Sequence, residues 1–262
     1  MTQMSFSDAD YASKKKLTRR DRFLAEIEAV TPWSSLIAVI EPVYPKGDGC
    51  GRPPIGVGRM LRMYVVQQCF GLSDEGIEDA IYDSQSIRNF VGIDLNRESA
   101  PDATTLLKFR RLLEKYNLTR RIFDEINTHL ASKGLMMREG TIVDATLIAA
   151  PPSTKNRDEK RDPEMHQSKK GKTWHIAMKR SVRKALKKNP LGRAKEKLEK
   201  VKASVRAKVE HPFHVLKNLF RHRKTRYRGL AKNTTQLFAL FAFANLVLAG
   251  RTFGSARART PS

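Results

Sequence analysis

The chain has 262 residues, and its 50 Lys and Arg outnumber its 27 Asp and Glu, which gives a formal net charge of +23. Two cysteines without a CxxC pair exclude a disulfide framework, and we therefore expect a reducing, cytoplasmic location. The N-terminus has no apolar segment ahead of its first charges, which excludes a secretory signal.

The positive charge is concentrated toward the C-terminus. Residues 1–164 carry 24 basic and 24 acidic side chains, whereas residues 165–262 carry 26 basic and only three acidic ones. Basic side chains gain affinity for nucleic acids by releasing counterions from the phosphates. The asymmetry indicates a nucleic-acid partner in preference to a merely solvated basic face.

The first half of the chain predicts helices and one Gly/Pro loop at 44–54. Ser73 and Asp102 are predicted N-caps, and Gly71 and Gly134 are predicted helix terminators. The predicted helices cover 17–30, 56–71, 72–84, 101–117 and 118–134. The apolar stripe of the fourth is predicted to contain Leu106, Phe109, Leu113 and Tyr116.

The pattern changes after residue 135. β-Branched residues predict a strand over 140–152 with Asp144 in its middle. A polar loop follows over 153–173, and 174–179 is a candidate short strand. A carboxylate in mid-strand is costly unless it is paired or binds a metal, so Asp144 is either a ligand or an exposed edge residue.

The last part of the chain predicts three helices. The first, 192–209, follows Leu191, and one face carries Leu191, Ala194, Leu198, Val201 and Val205. Pro212 is predicted in the first turn of the second, 212–222. The third, 234–249, lies in an apolar stretch that we interpret as a buried helix too short to cross a membrane.

Glu210 is an acid within this basic region. Arg206 is four residues before it and Lys217 seven after it, so one helical face could carry all three. By itself this pattern indicates an ordinary surface ion pair, worth a few tenths of a kcal/mol. Paired with Asp144, however, Glu210 could hold Mg²⁺ for phosphodiester cleavage.

Several longer stretches resemble the DDE-class transposases of bacterial insertion sequences of the IS-five type. "GRPPIGVGRMLRMYVVQQCFGLSDEGIEDAIYDSQSIRNFVGI" resembles their N-terminal helical domain, and "GTIVDATLIAAPPSTKNRD" the strand with the first catalytic aspartate. "KASVRAKVEHPFHVLK" resembles the C-terminal signature, in which a Tyr is replaced here by Ala203. The resemblance covers about residues 15 to 251.

The resemblance implies an RNase H-like α/β catalytic domain that uses Mg²⁺ to nick DNA at the element's ends and join it to target DNA. Asp144 and Glu210 would be catalytic residues and metal ligands, while Arg206 and Lys217 would position phosphates or orient Glu210. Further DNA contacts are expected from Arg221, Arg223, Lys224, Arg226 and Arg228.

The middle aspartate of the family is missing between Asp144 and Glu210. The acids in that interval lie in the polar loop or on a predicted helix, and none follows an apolar strand. The interval 151–191 also has too few large apolar residues for a covered central sheet. We therefore expect an in-frame internal deletion and an incomplete, mostly α or α+β fold.

The expected organisation is a tail (1–16), a helical DNA-binding domain (17–135), a truncated catalytic domain (136–251) and a second tail (252–262). Expected partners are terminal inverted repeats, target DNA, and further copies of the chain or a full-length transposase, in the bacterial cytoplasm at the nucleoid and without a membrane. The alternatives are a non-catalytic regulator or inhibitor of an intact transposase, and a decayed remnant. In the remnant, the final helix would lack its sheet and expose an aggregating apolar face.

Overall fold

The computed structural model describes residues 16–47, 53–135 and 190–257, together with Tyr11 and Ser13. Side chains at 205–209 and 252–257 lie outside this description. The predicted strands at 140–152 and 174–179, the loop between them, and Asp144 also lie outside the described residues.

The described residues are mostly helical. In chain order the α-helices are α1 (Arg19–Val30), α2 (Trp33–Ile40), α3 (Val57–Phe70), α4 (Asp74–Asp83), α5 (Gln85–Val91), α6 (Ala103–Lys115), α7 (Leu118–Ser132), α8 (Pro190–His214) and α9 (Leu230–Arg257). A 3-10 turn, Glu41–Val43, follows α2, and a π-helical turn, Val215–Leu219, follows α8.

Local sequence chemistry fixes several helix ends as predicted. Ser73 Oγ accepts the amide of Gly76 at 2.9 Å, and Asp102 Oδ1 accepts the amide of Thr105 at 2.7 Å. Each bond satisfies an amide that the first helical turn leaves unpaired. Gly71 ends α3 in the left-handed conformation, at φ +64°.

The stripe predicted for α6 is partly confirmed. Leu106, Phe109 and Leu113 are buried, but Tyr116 is exposed. Tyr116 is the C-cap of α6, where the backbone leaves helical geometry and the three-to-four residue spacing no longer directs a side chain to the core. Its ring lies 5.2 Å from the ammonium of Lys115.

The prediction of a separate helix beginning near Pro212 is wrong. Pro212 lies inside α8, which continues to His214 and passes into the π-helical turn. Proline removes one backbone hydrogen bond from a helix interior, and π-turns are a common site of helix distortion.

The final helix is buried, which confirms the interpretation of this stretch as a buried helix and contradicts the exposed apolar face expected for a decayed remnant. α9 packs against α7 and α1, with further contacts to α3, α8 and the π-turn. The buried apolar side chains of α9 include Leu240, Phe243, Leu246 and Val247. The helical N-terminal part therefore supplies the apolar surface that covers α9.

α9 is also longer than predicted. Within it, Leu230–Arg251 is long and apolar enough by length and composition to cross a membrane. Core helices of globular proteins pass the same test, and 56% of its most apolar window is buried inside the structure. Its packing against α7 and α1 is that of a core helix.

Candidate nucleic-acid interface

The residues predicted to act at the site fall into two groups in the structure. Glu210 and the backbone of Arg206 lie on α8, and Lys217 lies in the π-turn that follows. The five other predicted DNA contacts lie in the connection between the π-turn and α9, which we call the basic segment (221–229). Asp144 lies outside the described residues, so the structure does not bring it to Glu210.

Glu210 is exposed near the C-terminal end of α8, and Lys217 is half-buried. The backbone carbonyl of Lys217 accepts Nε of Arg223 at 3.3 Å. Among the described residues, no group of three or more His, Cys, Asp or Glu side chains could hold a metal ion. The described part of the chain therefore does not provide the ligand set of a two-metal centre.

The basic segment begins with a left-handed residue. Arg221 has φ +57°, a conformation that usually favours glycine. It ends the helical region at a point where the amide of His222 donates to the carbonyl of Leu216 at 2.9 Å. The side chains of Arg221, Arg223, Lys224, Arg226 and Arg228 are exposed.

His222 is the buried residue of the basic segment. Burial lowers its pKa, and the neighbouring positive charge of Arg226 lowers it further. Its Nδ1 atom has no hydrogen-bond partner among the described residues. The imidazole is therefore held neutral at neutral pH and is not an additional phosphate-binding cation.

Arg226 makes the most specific contacts in the basic segment. Its Nη2 donates to the carbonyl of Gly71 at 2.9 Å, and its Nη1 donates to the carbonyl of Leu72 at 3.3 Å. Those carbonyls follow the end of α3, where a positive charge is favourable. No local sequence pattern reveals this contact, because it joins residues more than 150 positions apart.

A partly buried ion pair lies beside this contact. Arg110 of α6 donates Nη1 and Nη2 to the two carboxylate oxygens of Asp74, at 2.6 and 3.0 Å. Its guanidinium also lies 4.9 Å from the ring centre of Tyr227. Burial opposes the charge of Arg110, but the bond to Asp74 together with the charge interactions with Tyr227, Asp74 and Tyr64 outweighs burial, and the pKa of Arg110 is raised.

Two family models match the chain. The Transposase domain (DUF772) matches residues 12–112, and the Transposase DDE domain matches residues 163–246. The chain is therefore similar to transposases over both matched stretches, the second of which matches a DDE domain. No solved structure matches it significantly.

The transposase matches can be compared with the predicted site. The DDE match contains Glu210, Lys217 and the whole basic segment, whereas Asp144 lies outside both matches. The N-terminal match covers α1 to α5 and most of α6, which form the surface that Arg226 and Tyr227 contact. The IS-five-type assignment and the internal deletion stay predictions.

Proposed function

We propose that this transposase-family protein binds DNA at the ends of an IS-five-type insertion sequence and that this copy has lost strand cleavage. The observation that carries the proposal is the coincidence of two features in one region. All but the first two residues of the DDE match at 163–246 lie in the stretch 165–262, which holds the chain's entire excess of positive charge. Transposases act on DNA, and such a charge excess is suited to phosphate binding.

The basic segment is the part of the described chain best suited to phosphates. Arg221, Lys224 and Arg228 are exposed within a connection of nine residues. Arginine presents a planar fork of donors that matches phosphate oxygens. Terminal inverted repeats and target DNA are the proposed ligands, and the helical region of 17–135 is proposed as the part that recognises the ends.

The proposed loss of cleavage rests on the carboxylate set. DDE transposases use divalent metal ions, and Mg²⁺ held by carboxylates would activate the attacking oxygen and stabilise the leaving one. Here Asp144 and Glu210 would be the catalytic residues and metal ligands, with Arg206 and Lys217 orienting phosphate. Of the acids between them, Glu196 and Glu199 lie in α8, and the others fall in the stretch for which the sequence predicts a polar loop rather than the end of an apolar strand.

A nicking assay tests the proposed loss of cleavage. The full chain would be incubated with Mg²⁺ and a duplex that contains the element's end, beside Asp144→Asn as the matched variant. We expect both proteins to leave the duplex intact at equal, background levels. Nicking by the wild type that disappears in Asp144→Asn would show a working catalytic centre and overturn this part of the proposal.

A second candidate function is a non-catalytic regulator that occupies the ends or inhibits an intact transposase. The packing of α9 on α1 and α7 favours the regulator. Through this packing the basic segment stays attached to the N-terminal helices even if the catalytic domain is incomplete. The regulator should reduce excision when it is mixed with an intact transposase of the same element. Unchanged excision despite end-specific binding would remove this candidate, and size-exclusion chromatography would detect a homo- or hetero-oligomer.

A further inference from the structure

The basic segment is attached to the helical N-terminal part at the end of α3. Arg226 donates two hydrogen bonds to backbone carbonyls there, and these carbonyls cannot be exchanged for other acceptors by changes of side chain. An arginine at a helix C-terminus gains both the hydrogen bonds and a favourable interaction with the helix dipole. This contact gives Arg226 a structural partner inside the protein.

Gly71 permits the close approach. A Cβ atom added at Gly71 would lie 2.6 Å from the carbonyl oxygen of Phe220, the residue that precedes the basic segment. The same Cβ would lie 3.1 Å from Nη2 of Arg226. The backbone at Gly71 therefore lies so close to the backbone at Phe220 that only glycine, which has no Cβ atom, fits at position 71.

Asp74, Arg110 and Tyr227 form a second attachment next to the first. Arg110 lies over the ring of Tyr227 and is held in place by its bidentate bond to Asp74. Gln67 also donates to Asp74, at 2.6 Å. The stacking of a guanidinium on an aromatic ring strengthens when the pair is partly removed from water, as it is here.

α9 holds the same segment from the other end. Nδ2 of Asn233 donates to the carbonyls of Tyr227 and Gly229, both at 2.7 Å, and its Oδ1 accepts the amide of Tyr227 at 3.3 Å. The backbone around Tyr227 is thus bonded to α9 while its ring contacts Arg110. The segment is fixed on both sides.

We propose that Arg226 and Tyr227, with Asp74 and Arg110, are positioning residues that hold the basic segment in one conformation for DNA. In this arrangement Arg226 contacts Gly71 and Leu72, and the phosphates are contacted by Arg221, Lys224 and Arg228. The ordering of the segment lowers the entropy lost on binding. The inference rests on the proposed DNA-binding function and divides its predicted residues into two roles.

Replacement of an acidic residue distinguishes a positioning role from a simple charge effect, because the two predict opposite changes in DNA affinity. Asp74→Asn removes a negative charge, so electrostatics alone predicts equal or tighter DNA binding. Positioning predicts the opposite, because Arg110 loses the partner that holds it over Tyr227. We expect binding of a fluorescent duplex by the full chain to weaken by about three- to tenfold, the cost of ordering one or two side chains.

Asp94→Asn is the matched control. Asp94 is a half-buried acid whose contacts are local in sequence: an ion pair with Arg97 at 3.4 Å, and bonds accepted from the amide and side chain of Asn96 at 3.0 and 3.1 Å. Its neutralisation changes the net charge equally and should leave binding unchanged or slightly tighter. The proposal is overturned if Asp74→Asn, shown to be folded by circular dichroism, binds DNA as tightly as Asp94→Asn.

The salt dependence of binding provides a second arm that does not depend on Asp74. Loss of one phosphate contact reduces the slope of log Kd against log salt by about 0.9 over roughly 50 to 300 mM NaCl. We expect this reduction for Arg228→Ala. For Arg226→Ala we expect weaker binding by about three- to tenfold with the wild-type slope, since the number of phosphates contacted does not change.

Equal reductions in slope for Arg226→Ala and Arg228→Ala would identify Arg226 as a direct phosphate contact and reject its positioning role. Wild-type affinity and slope for Arg226→Ala would also reject it. If the wild type itself shows no salt-dependent binding, the proposed DNA-binding function fails, and the two failures are thereby distinguished.

Discussion

Helices α8 and α9 both belong to the basic C-terminal region, and both carry an apolar stripe, but only one stripe is buried. On α8, Leu191, Leu198 and Val201 are 80%, 55% and 60% exposed. On α9, Leu240 and Phe243 are almost fully buried. The difference follows from their neighbours, since α9 packs on α7 and α1, whereas within the described residues α8 packs mainly on α9 and the π-turn.

The comparison shows that burial is decided by what the rest of the chain offers to a stripe. Both helices have apolar residues at helical spacing, so the pattern alone does not distinguish them. The stability of the C-terminal region should therefore come from α9, and the apolar residues of α8 should contribute little. The following substitutions test that division, from the largest expected effect to the smallest.

Phe243→Ala should cause the largest loss of stability. The ring is fully buried and makes an edge-to-face contact with Tyr64, at 6.1 Å between ring centres. Removal of such a ring from a packed core costs about 3–5 kcal/mol in the free energy of unfolding. Leu198→Ala in α8 is the matched control and should cost less than about 0.5 kcal/mol, as surface substitutions do.

Urea denaturation of both variants, followed by circular dichroism, gives the two values. Similar losses of unfolding free energy for Phe243→Ala and Leu198→Ala would mean that the exposed stripe of α8 is covered in solution or that α9 is not anchored as described. Either outcome would end the distinction between the two helices.

Gly71→Ala should have the next largest effect, since it disturbs the junction between the N-terminal helices and the basic segment. The new Cβ would collide with the carbonyl oxygen of Phe220, and the left-handed backbone adds about 1–2 kcal/mol of strain. Gly92→Ala is the control, because Gly92 is also left-handed but has nothing within 4 Å of a Cβ. We expect a melting temperature clearly lower for Gly71→Ala than for Gly92→Ala, and equal values would argue against the close backbone contact.

The ends of the N-terminal helices could be predicted because their causes are local. Ser73 and Asp102 cap their helices through amides three residues ahead, and Gly71 and Gly134 supply left-handed conformations. The partners that bury α9 could not be predicted in the same way. Its spacing specified an apolar face, but the resemblance assigned that face to a sheet and did not suggest α7 and α1.

The candidate site was predicted only in part, for a related reason. Charge density in the sequence identifies the basic segment, but it treats Arg226 and Arg228 alike. What separates them is a contact between Arg226 and the carbonyl of Gly71, 155 positions away in the chain. Pro212 is a similar case, because its effect on the helix depends on the π-turn that follows it.

Arg221→Gly should produce a smaller change, and in the stabilising direction. Arg221 occupies the left-handed region, which costs a non-glycine residue about 1 kcal/mol or more, so glycine should raise the free energy of unfolding by about 1 kcal/mol. Asn117 also has a positive φ, but asparagine tolerates it well, so Asn117→Gly should change stability by only a few tenths. Loss of stability in Arg221→Gly would show that its side chain makes a compensating contact.

The smallest expected effect is the dependence of stability on pH through His222. Because burial depresses the pKa of His222 in the folded protein, the unfolded chain binds its proton first as the pH falls below about 6.5. Stability should therefore be greatest at neutral pH and fall as the pH decreases through this window.

His222→Gln, which does not titrate, should reduce the fall in melting temperature between about pH 7.5 and pH 5.5. The pKa of His129 is also lowered, by burial and by the charge of Lys133, with Glu125 opposing the shift. Because His129 is only half-buried whereas His222 is buried, His129→Gln should reduce the fall less. If His222→Gln retains the full pH dependence, the imidazole is not kept neutral by the packing of the basic segment on the helical body.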